Sequence, residues 1–322
     1  MRTIEVGGAR LSVIGLGTWQ FGAREWGYGS EYDTRVAPAI VRRALDLGIT
    51  LIDTAEIYGF GRSERIVGRA IEGRRDEVFL ATKLLPLVPL EPVVEWRALE
   101  SAARAGVDHI DLYQVHWPNP LFAPGTPMRA MAKLQRIGLV RHVGVSNYSL
   151  DQWRQADDAL GGPVLSNQVQ FSLAVRRHGD VLVPWAAEHD RVVIAYSPLA
   201  QGLLSGRYSK ERPPQGRARQ GNALFLPDNL ERARELLGVL DEVARAHYAS
   251  SSQVALAWLI RRPNVVAIPG ASSVAQLEAN AAAADLELSD DEDQALTEAS
   301  DRFEPRTGKA AIADLVKSRF RR

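Results

Sequence analysis

The chain of 322 residues is 46% hydrophobic and 24% charged, and 39 basic side chains balance 39 acidic ones. A net charge of zero gives no general pull toward nucleic acid or an anionic membrane surface. The absence of cysteine excludes disulfides, thiolate metal sites and cysteine nucleophiles. No run approaches the ~18 apolar residues of a membrane span, and the opening MRTIEVGGAR lacks the apolar core of a secretory signal. The expectation is a cytoplasmic enzyme or binding protein, with no nucleic-acid or membrane partner.

The first residues alternate as a hairpin, Thr3 to Val6 and Arg10 to Val13 around Gly7-Gly8. Val13 to Gly17 reads as a short strand. The loop from Thr18 to Tyr32 is rich in glycine and aromatics, among them Trp19, Phe21, Trp26 and Tyr28. The period then becomes helical at Val36, Ile40, Ala44 and Leu47, and Gly48 marks a stop. A strand over Thr50 to Asp53 leads to a helix with Ser63 as its expected N-cap and Ile66, Val67, Ala70 and Ile71 on one face. Val78 to Lys83 is nearly continuous in apolar character, as in a parallel sheet covered on both sides.

The alternation continues through a helix near Val93 to Ala105, a strand Ile110 to His116, a helix near Met128 to Ile137 and a strand Val140 to Ser146. Ser149 to Gln152 forms a capping box for the next helix. Strand Val164 to Gln168, a helix around Val181 to Glu188 and strand Val192 to Tyr196 follow. An insertion rich in Gly, Arg, Pro and Gln runs from Ser197 to about Pro227. Asp228 to Glu231 is expected to cap a helix reaching Tyr248. A helix Ser252 to Ile260, a strand Val265 to Ile268, a helix Val274 to Ala284 and a helix capped by Ser289 complete the chain. Residues 303–322 form a basic tail with Arg306, Lys309, Lys317, Arg319, Arg321 and Arg322.

Eight strand-like runs separated by helices, with no linker dividing them, predict one (β/α)8 TIM barrel over residues 1–322, with an N-terminal hairpin and an insertion after strand seven. An open doubly wound sheet is the alternative. In a barrel the site lies at the carboxyl ends of the strands. Those ends carry Asp53 with Tyr58 five residues on, then Lys83, His116-Trp117, Ser146-Asn147, Asn167-Gln168, Tyr196-Ser197 and Pro269 to Ser273. Taken singly, Lys83 reads as a solvated strand end and His116 as a satisfied core histidine. Taken together, an Asp, a Lys, a Tyr and a His face one mouth, with amide and hydroxyl donors opposite.

That set has a coherent chemistry. A tyrosine hydroxyl has a reference pKa of ~10, and a neighbouring ammonium lowers it by favouring the phenolate. Asp53 would orient Lys83, Lys83 would tune Tyr58, and His116 would hydrogen-bond a carbonyl oxygen. The product is a general acid that protonates an oxygen while a second group supplies electrons. With neither a metal cluster nor a nucleophile triad in view, a hydride donor is expected in that second role.

The same residues carry a resemblance to the aldo-keto reductases. Its motifs stand here as Asp53-Thr54-Ala55-Glu56-Ile57-Tyr58-Gly59, Thr82-Lys83, Leu112-Tyr113-Gln114-Val115-His116-Trp117, Gly144-Val145-Ser146-Asn147, Asn167-Gln168 and Tyr196-Ser197-Pro198-Leu199. The likeness extends from about Leu11 to Asn280. The stretch Tyr58 to Glu64 is most similar to bacterial members. The insertion with Gly202 to Gly206 is similar to the branch that holds potassium-channel β subunits and stress-related reductases.

The resemblance implies NAD(P)H-dependent reduction of an aldehyde or ketone, reversible to alcohol oxidation, with Tyr58 as general acid/base, Lys83 and Asp53 tuning it and His116 orienting the carbonyl. It implies that Ser146, Asn147 and Gln168 bind the nicotinamide carboxamide and that Tyr196 stacks on the ring. Ser197, Leu199 and Gly202 would follow the pyrophosphate, and Gly270, Ser272, Gln276 and Asn280 the adenosine. NADPH is the expected cofactor. NADH or dual use stays open, because Gly270, Ser272 and Gln276 stand where a Lys or Arg often holds the 2′-phosphate. Arg207, Lys210 or Arg219 of the insertion are candidate replacements, and Ala279 stands where an acidic residue is common.

Trp26 and Trp117 are the expected walls of the substrate pocket. An aromatic mouth suits apolar or aromatic carbonyls without excluding sugars. Other classes lack their signatures. Gln20 replaces the third glycine of an open-sheet dinucleotide fingerprint beginning at Gly15, and no His-x-His begins a metal-hydrolase site. The remaining alternative is a regulatory protein of the same fold that binds the cofactor and turns over slowly. The sequence leaves the oligomeric state open.

Overall fold

The structure is a computed structural model that describes residues 1–22, 29, 31–215, 217–308 and 311, with backbone alone at 217 and 218. β1 (Thr3–Val6) and β2 (Ala9–Ser12) form an antiparallel hairpin in which Val6 faces Ala9. Its two-residue turn places Gly7 and Gly8 at φ values of 53° and 76°, the left-handed conformation that such turns require. Leu11, Val6 and Ala9 pack with Leu51, Leu112, Leu165, Ile194 and Val266, so the hairpin plugs one end of the sheet.

The other eight strands are all parallel: β3 (Leu16–Gly17), β4 (Leu51–Asp53), β5 (Phe79–Leu84), β6 (Ile110–Val115), β7 (Val140–Ser146), β8 (Ser166–Gln170), β9 (Val192–Tyr196) and β10 (Val265–Ala267). Each pairs with its neighbours in chain order. The two edges then meet. Isolated bridges join Ile14 to Ala267 and Gly17 to Gly270, and Gly15 N–H donates to the Ala267 carbonyl at 2.8 Å. The eight units therefore close into the expected barrel, not the open sheet.

Helices cover the outside: α1 (Ala37–Asp46), α2 (Arg62–Ala70), α3 (Glu91–Ala105), α4 (Met128–Arg136), α5 (Leu150–Leu160) and α6 (Gly179–Glu188). After the insertion, which holds the short α7 (Arg217–Gln220), come α8 (Pro227–Arg232), α9 (Arg234–Ala246), α10 (Ser251–Ile260), α11 (Val274–Ala282) and α12 (Asp290–Arg302). The capping boxes at Ser149 and Ser289 form as read. Among the described residues, no helix is long and apolar enough to cross a membrane.

Two local expectations fail. α2 starts after Gly61, and Ser63 lies inside the helix, fully buried. Its hydroxyl donates to the Thr18 carbonyl at 3.1 Å, lies 2.7 Å from Thr18 Oγ1 and accepts from Thr54 Oγ1 at 2.9 Å. The side chain thus ties three segments together instead of capping one. The helix expected from Asp228 to Tyr248 is two helices that meet at Ala233, and the first starts at Pro227, where proline fits the first helical turn.

α2 and α3 approach closely at Gly68, where an added Cβ would stand 2.2 Å from the Ala105 carbonyl oxygen. Helix propensity favours alanine over glycine by about 1 kcal/mol, but a clash with backbone cannot be relieved by a rotamer change. Gly68→Ala is therefore expected to destabilise the protein by about 1–3 kcal/mol in urea denaturation.

Candidate active site

Parallel strands end at one rim, and the register sets what stands there. Asp53 closes β4, opposite Ala81 of β5. Lys83 lies near the end of β5, opposite Gln114 of β6. Both ionic side chains are buried, Lys83 at 0% and Asp53 at 2% exposure. The ammonium has three N–H bonds and finds three oxygens. Lys83 Nζ donates to Asp53 Oδ1 at 2.5 Å, to the Thr54 carbonyl at 2.9 Å and to Tyr58 Oη at 3.2 Å. Asp53 Oδ2 accepts from Gln168 Nε2 at 2.7 Å.

Burial alone draws the Lys83 pKa down, but Asp53 and Tyr58 outweigh it and leave the pKa raised. The expectation that Lys83 lowers the Tyr58 pKa is only half met. Lys83 does pull it down, yet desolvation is larger and the net direction is up. The phenol therefore stays protonated. Because Lys83 already donates to Oη, the Tyr58 proton is left to point elsewhere.

His116 follows β6. Its ring meets that of Tyr58 edge-on, with 5.7 Å between centroids, and lies 4.7 Å from Trp117. Its Nδ1 is buried and has no partner among the described residues. Burial, with Lys83 nearby, depresses its pKa to about 3, so the imidazole is neutral. The ends of β7, β8 and β9 form the opposite side. Ser146 Oγ donates to the Gln168 carbonyl at 2.8 Å, Asn147 Nδ2 donates to the His116 carbonyl at 3.2 Å, and Tyr196 Oη donates to Asn147 Oδ1 at 2.9 Å. Asp53, Tyr58, Lys83, His116, Ser146, Asn147, Gln168 and Tyr196 thus form one cluster.

Beyond Tyr196 the chain turns sharply. Ser197, Ala200, Gln201 and Gly202 all have positive φ, at 48°, 49°, 57° and 98°. Leu199 carries the turn, its carbonyl accepting from Gly202 N–H at 2.9 Å. Gln201 Oε1 is buried without a partner among the described residues. From the insertion, Arg219 Nε donates to the Gln201 carbonyl at 3.0 Å. Gly270 and Ser272 precede α11, Gln276 lies in its first turn and Asn280 one turn further on. Ser272 N–H and Oγ both donate to Gln276 Oε1 at 2.8 Å, and Asn280 Nδ2 donates to the Gly270 carbonyl at 3.3 Å. A helix N-terminus suits an anion, but Ser273 Oγ already caps this one by accepting from Gln276 N–H, and none of these four side chains is cationic. Trp117 stands beside His116 as expected, whereas Trp26 and the tail from 312 onward lie outside the described residues.

Sequence reading missed a second layer. Glu56 accepts from the Leu85 N–H and pairs with Arg97 at 2.9 Å. Glu64, fully buried, accepts from Thr82 Oγ1 at 2.7 Å and from Arg104 Nε at 2.5 Å. These contacts brace the loop that carries Tyr58. The signal in the sequence is a charged residue at each place, Glu64 within the helical period of α2 and Glu56 within the Asp53 to Gly59 motif.

The model of the Aldo/keto reductase family matches residues 13–301. An uncharacterized oxidoreductase of Mycobacterium tuberculosis is 51% identical over the whole of both chains. A methylglyoxal reductase of Escherichia coli is 36% identical, over 88% of this chain and 89% of its own. Among solved structures, an aldo/keto reductase from Klebsiella pneumoniae in complex with NADP and acetate superposes with a TM-score of 0.74. It is 32% identical and covers 95% of this chain and 97% of its own.

Two outcomes follow from the buried groups. In NMR titration the His116 ring is expected to show no protonation between pH 8 and pH 5, since its depressed pKa of about 3 lies below that window. The unfolded chain binds that proton below its ordinary value, so this residue favours unfolding as pH falls from 6.5 toward 3. In a double-mutant cycle, Asp53→Asn and Lys83→Met should each cost about 3–5 kcal/mol, and the double variant clearly less than their sum.

Proposed function

Because the chain belongs to the aldo/keto reductase family, we propose that it reduces an aldehyde or ketone to an alcohol at the Tyr58–Lys83 cluster, with NADPH as cofactor. The observation that carries this reading is the triple donation by the buried Lys83 ammonium, which holds Tyr58 Oη and leaves its proton available. Support for the cofactor comes from the NADP bound by the Klebsiella relative and from the fit of this chain. Amide and hydroxyl groups cluster beside a half-buried tyrosine, next to a left-handed turn and a helix N-terminus.

In this reading Ser146, Asn147 and Gln168 hold the nicotinamide end, and Tyr196 packs against the ring. Ser197, Leu199 and Gly202 follow the pyrophosphate, and Gly270, Ser272, Gln276 and Asn280 surround the adenosine. When bound, the cofactor supplies the hydride. The protein does the rest. Tyr58 gives its proton to the carbonyl oxygen, and Lys83 steadies the phenolate that remains. The neutral His116 ring orients that oxygen. Trp117, packed beside His116, walls the pocket, so apolar or aromatic carbonyls are the proposed substrates. With no charge at Gly270, Ser272 or Gln276, preference for NADPH over NADH is expected to be modest. The connected set Asp53, Tyr58, Lys83 and His116 favours turnover over a purely regulatory role.

The test is oxidation of NADPH and NADH with a panel of carbonyls by wild type and Tyr58→Phe. Loss of the proton donor should lower kcat by about 10²–10⁴-fold while cofactor affinity is kept. Full activity in Tyr58→Phe would sink the acid assignment. Failure to bind either cofactor would sink the reading as a whole.

A further inference from the structure

Both oxygens of Asp53 are engaged. Oδ1 takes Lys83. Oδ2 lies 2.7 Å from Gln168 Nε2 and 3.4 Å from Gln114 Nε2, and Gln168 Nε2 also lies 3.4 Å from Gln114 Oε1. Gln114 is 0% exposed and Gln168 2%. A carboxylate accepts but cannot donate. The amide atoms facing Asp53 must therefore be NH2 groups, which fixes the orientation of both side chains.

Gln114 sits in the middle of the site's strands, opposite Lys83 on β5 and opposite Gly144 on β7. Gly144 makes room for it. A Cβ at that position would stand 2.9 Å from Gln114 Cγ and 2.4 Å from Ser166 Oγ. A buried amide costs stability unless its hydrogen bonds are made, and a leucine or methionine would fill this place without that demand. Leu112, two residues earlier on the same face of β6, packs with the apolar end of the barrel interior. The change from Leu112 to Gln114 coincides with arrival at the Asp53 carboxylate.

We propose that Gln114 is a positioning residue for the proton donor. Together with Gln168 it clamps Oδ2 of Asp53, so that Oδ1 faces Lys83 Nζ and Lys83 in turn meets Tyr58 Oη. Gln168 is shared between this clamp and the nicotinamide end of the site, which puts the proton donor and the cofactor on one hydrogen-bonded frame. The inference rests on Tyr58 being the acid of the reaction proposed above.

The test compares the full-length wild type with Gln114→Met and Gln114→Asn. Readouts are steady-state NADPH oxidation with the best carbonyl of the panel and NADPH affinity by fluorescence titration. The methionine keeps the volume and removes the donor, and the asparagine keeps the amide but draws it back by one methylene. Expected in both is a fall in kcat of about 10- to 100-fold, with KM for the carbonyl and NADPH affinity within about twofold of wild type. Should the methionine variant fail to fold, the asparagine variant decides. Unchanged kcat in a variant that binds NADPH normally overturns the clamp, and so does loss of cofactor binding in step with kcat, which marks a merely structural role. Wild type that oxidises NADPH with no carbonyl overturns the reductase reading and the clamp together. Wild-type turnover with unaltered variants overturns the clamp alone.

Discussion

A primary ammonium with no exposed surface stands near the carboxyl end of β5, and the site is arranged around the need to compensate it. Removing such an ion from water costs several kcal/mol even after relaxation. Lys83 recovers that cost through three acceptors: the Asp53 carboxylate, the Thr54 carbonyl and the Tyr58 hydroxyl. Each has a consequence. The carboxylate keeps the ammonium charged. The carbonyl fixes the chain just after β4. The hydroxyl becomes an acceptor toward lysine and therefore a donor toward the open side.

That arrangement depends on a loop being held still. Tyr58 belongs to the connection between β4 and α2, and buried polar contacts brace this connection from two directions. Thr18, Thr54 and Ser63 share hydroxyl hydrogen bonds at its base. Glu56 and Glu64 reach outward to Arg97, Arg104, Thr82 and the Leu85 N–H. A pair of half-satisfied carboxylates would destabilise the fold, and here each carboxylate has cationic and neutral donors.

Much of this was legible in the sequence. Eight apolar runs of strand length, each followed by a helical period, are what parallel pairing requires, and the polar residue ending each run marks the rim. Asp53, Lys83 and His116 were visible because a charge or an imidazole closes an apolar run. Their mutual distances were not, because register decides them. Ser63 misled because a serine before a helical face has the same composition whether it caps or is buried. The direction of the Tyr58 shift depended on burial, which no spacing reveals. Gln114 lies inside the motif from Leu112 to Trp117, where an amide between apolar residues gives no sign of which carboxylate it meets.

The central claim is that the buried Lys83–Asp53 pair sets Tyr58 for proton donation, and it is tested most directly by single-turnover stopped-flow oxidation of NADPH by Lys83→Met. The account predicts that the variant binds NADPH and carbonyl but that the chemical step slows by about 10²-fold or more. A chemical step as fast as wild type, in a variant that is folded and binds cofactor, would contradict it.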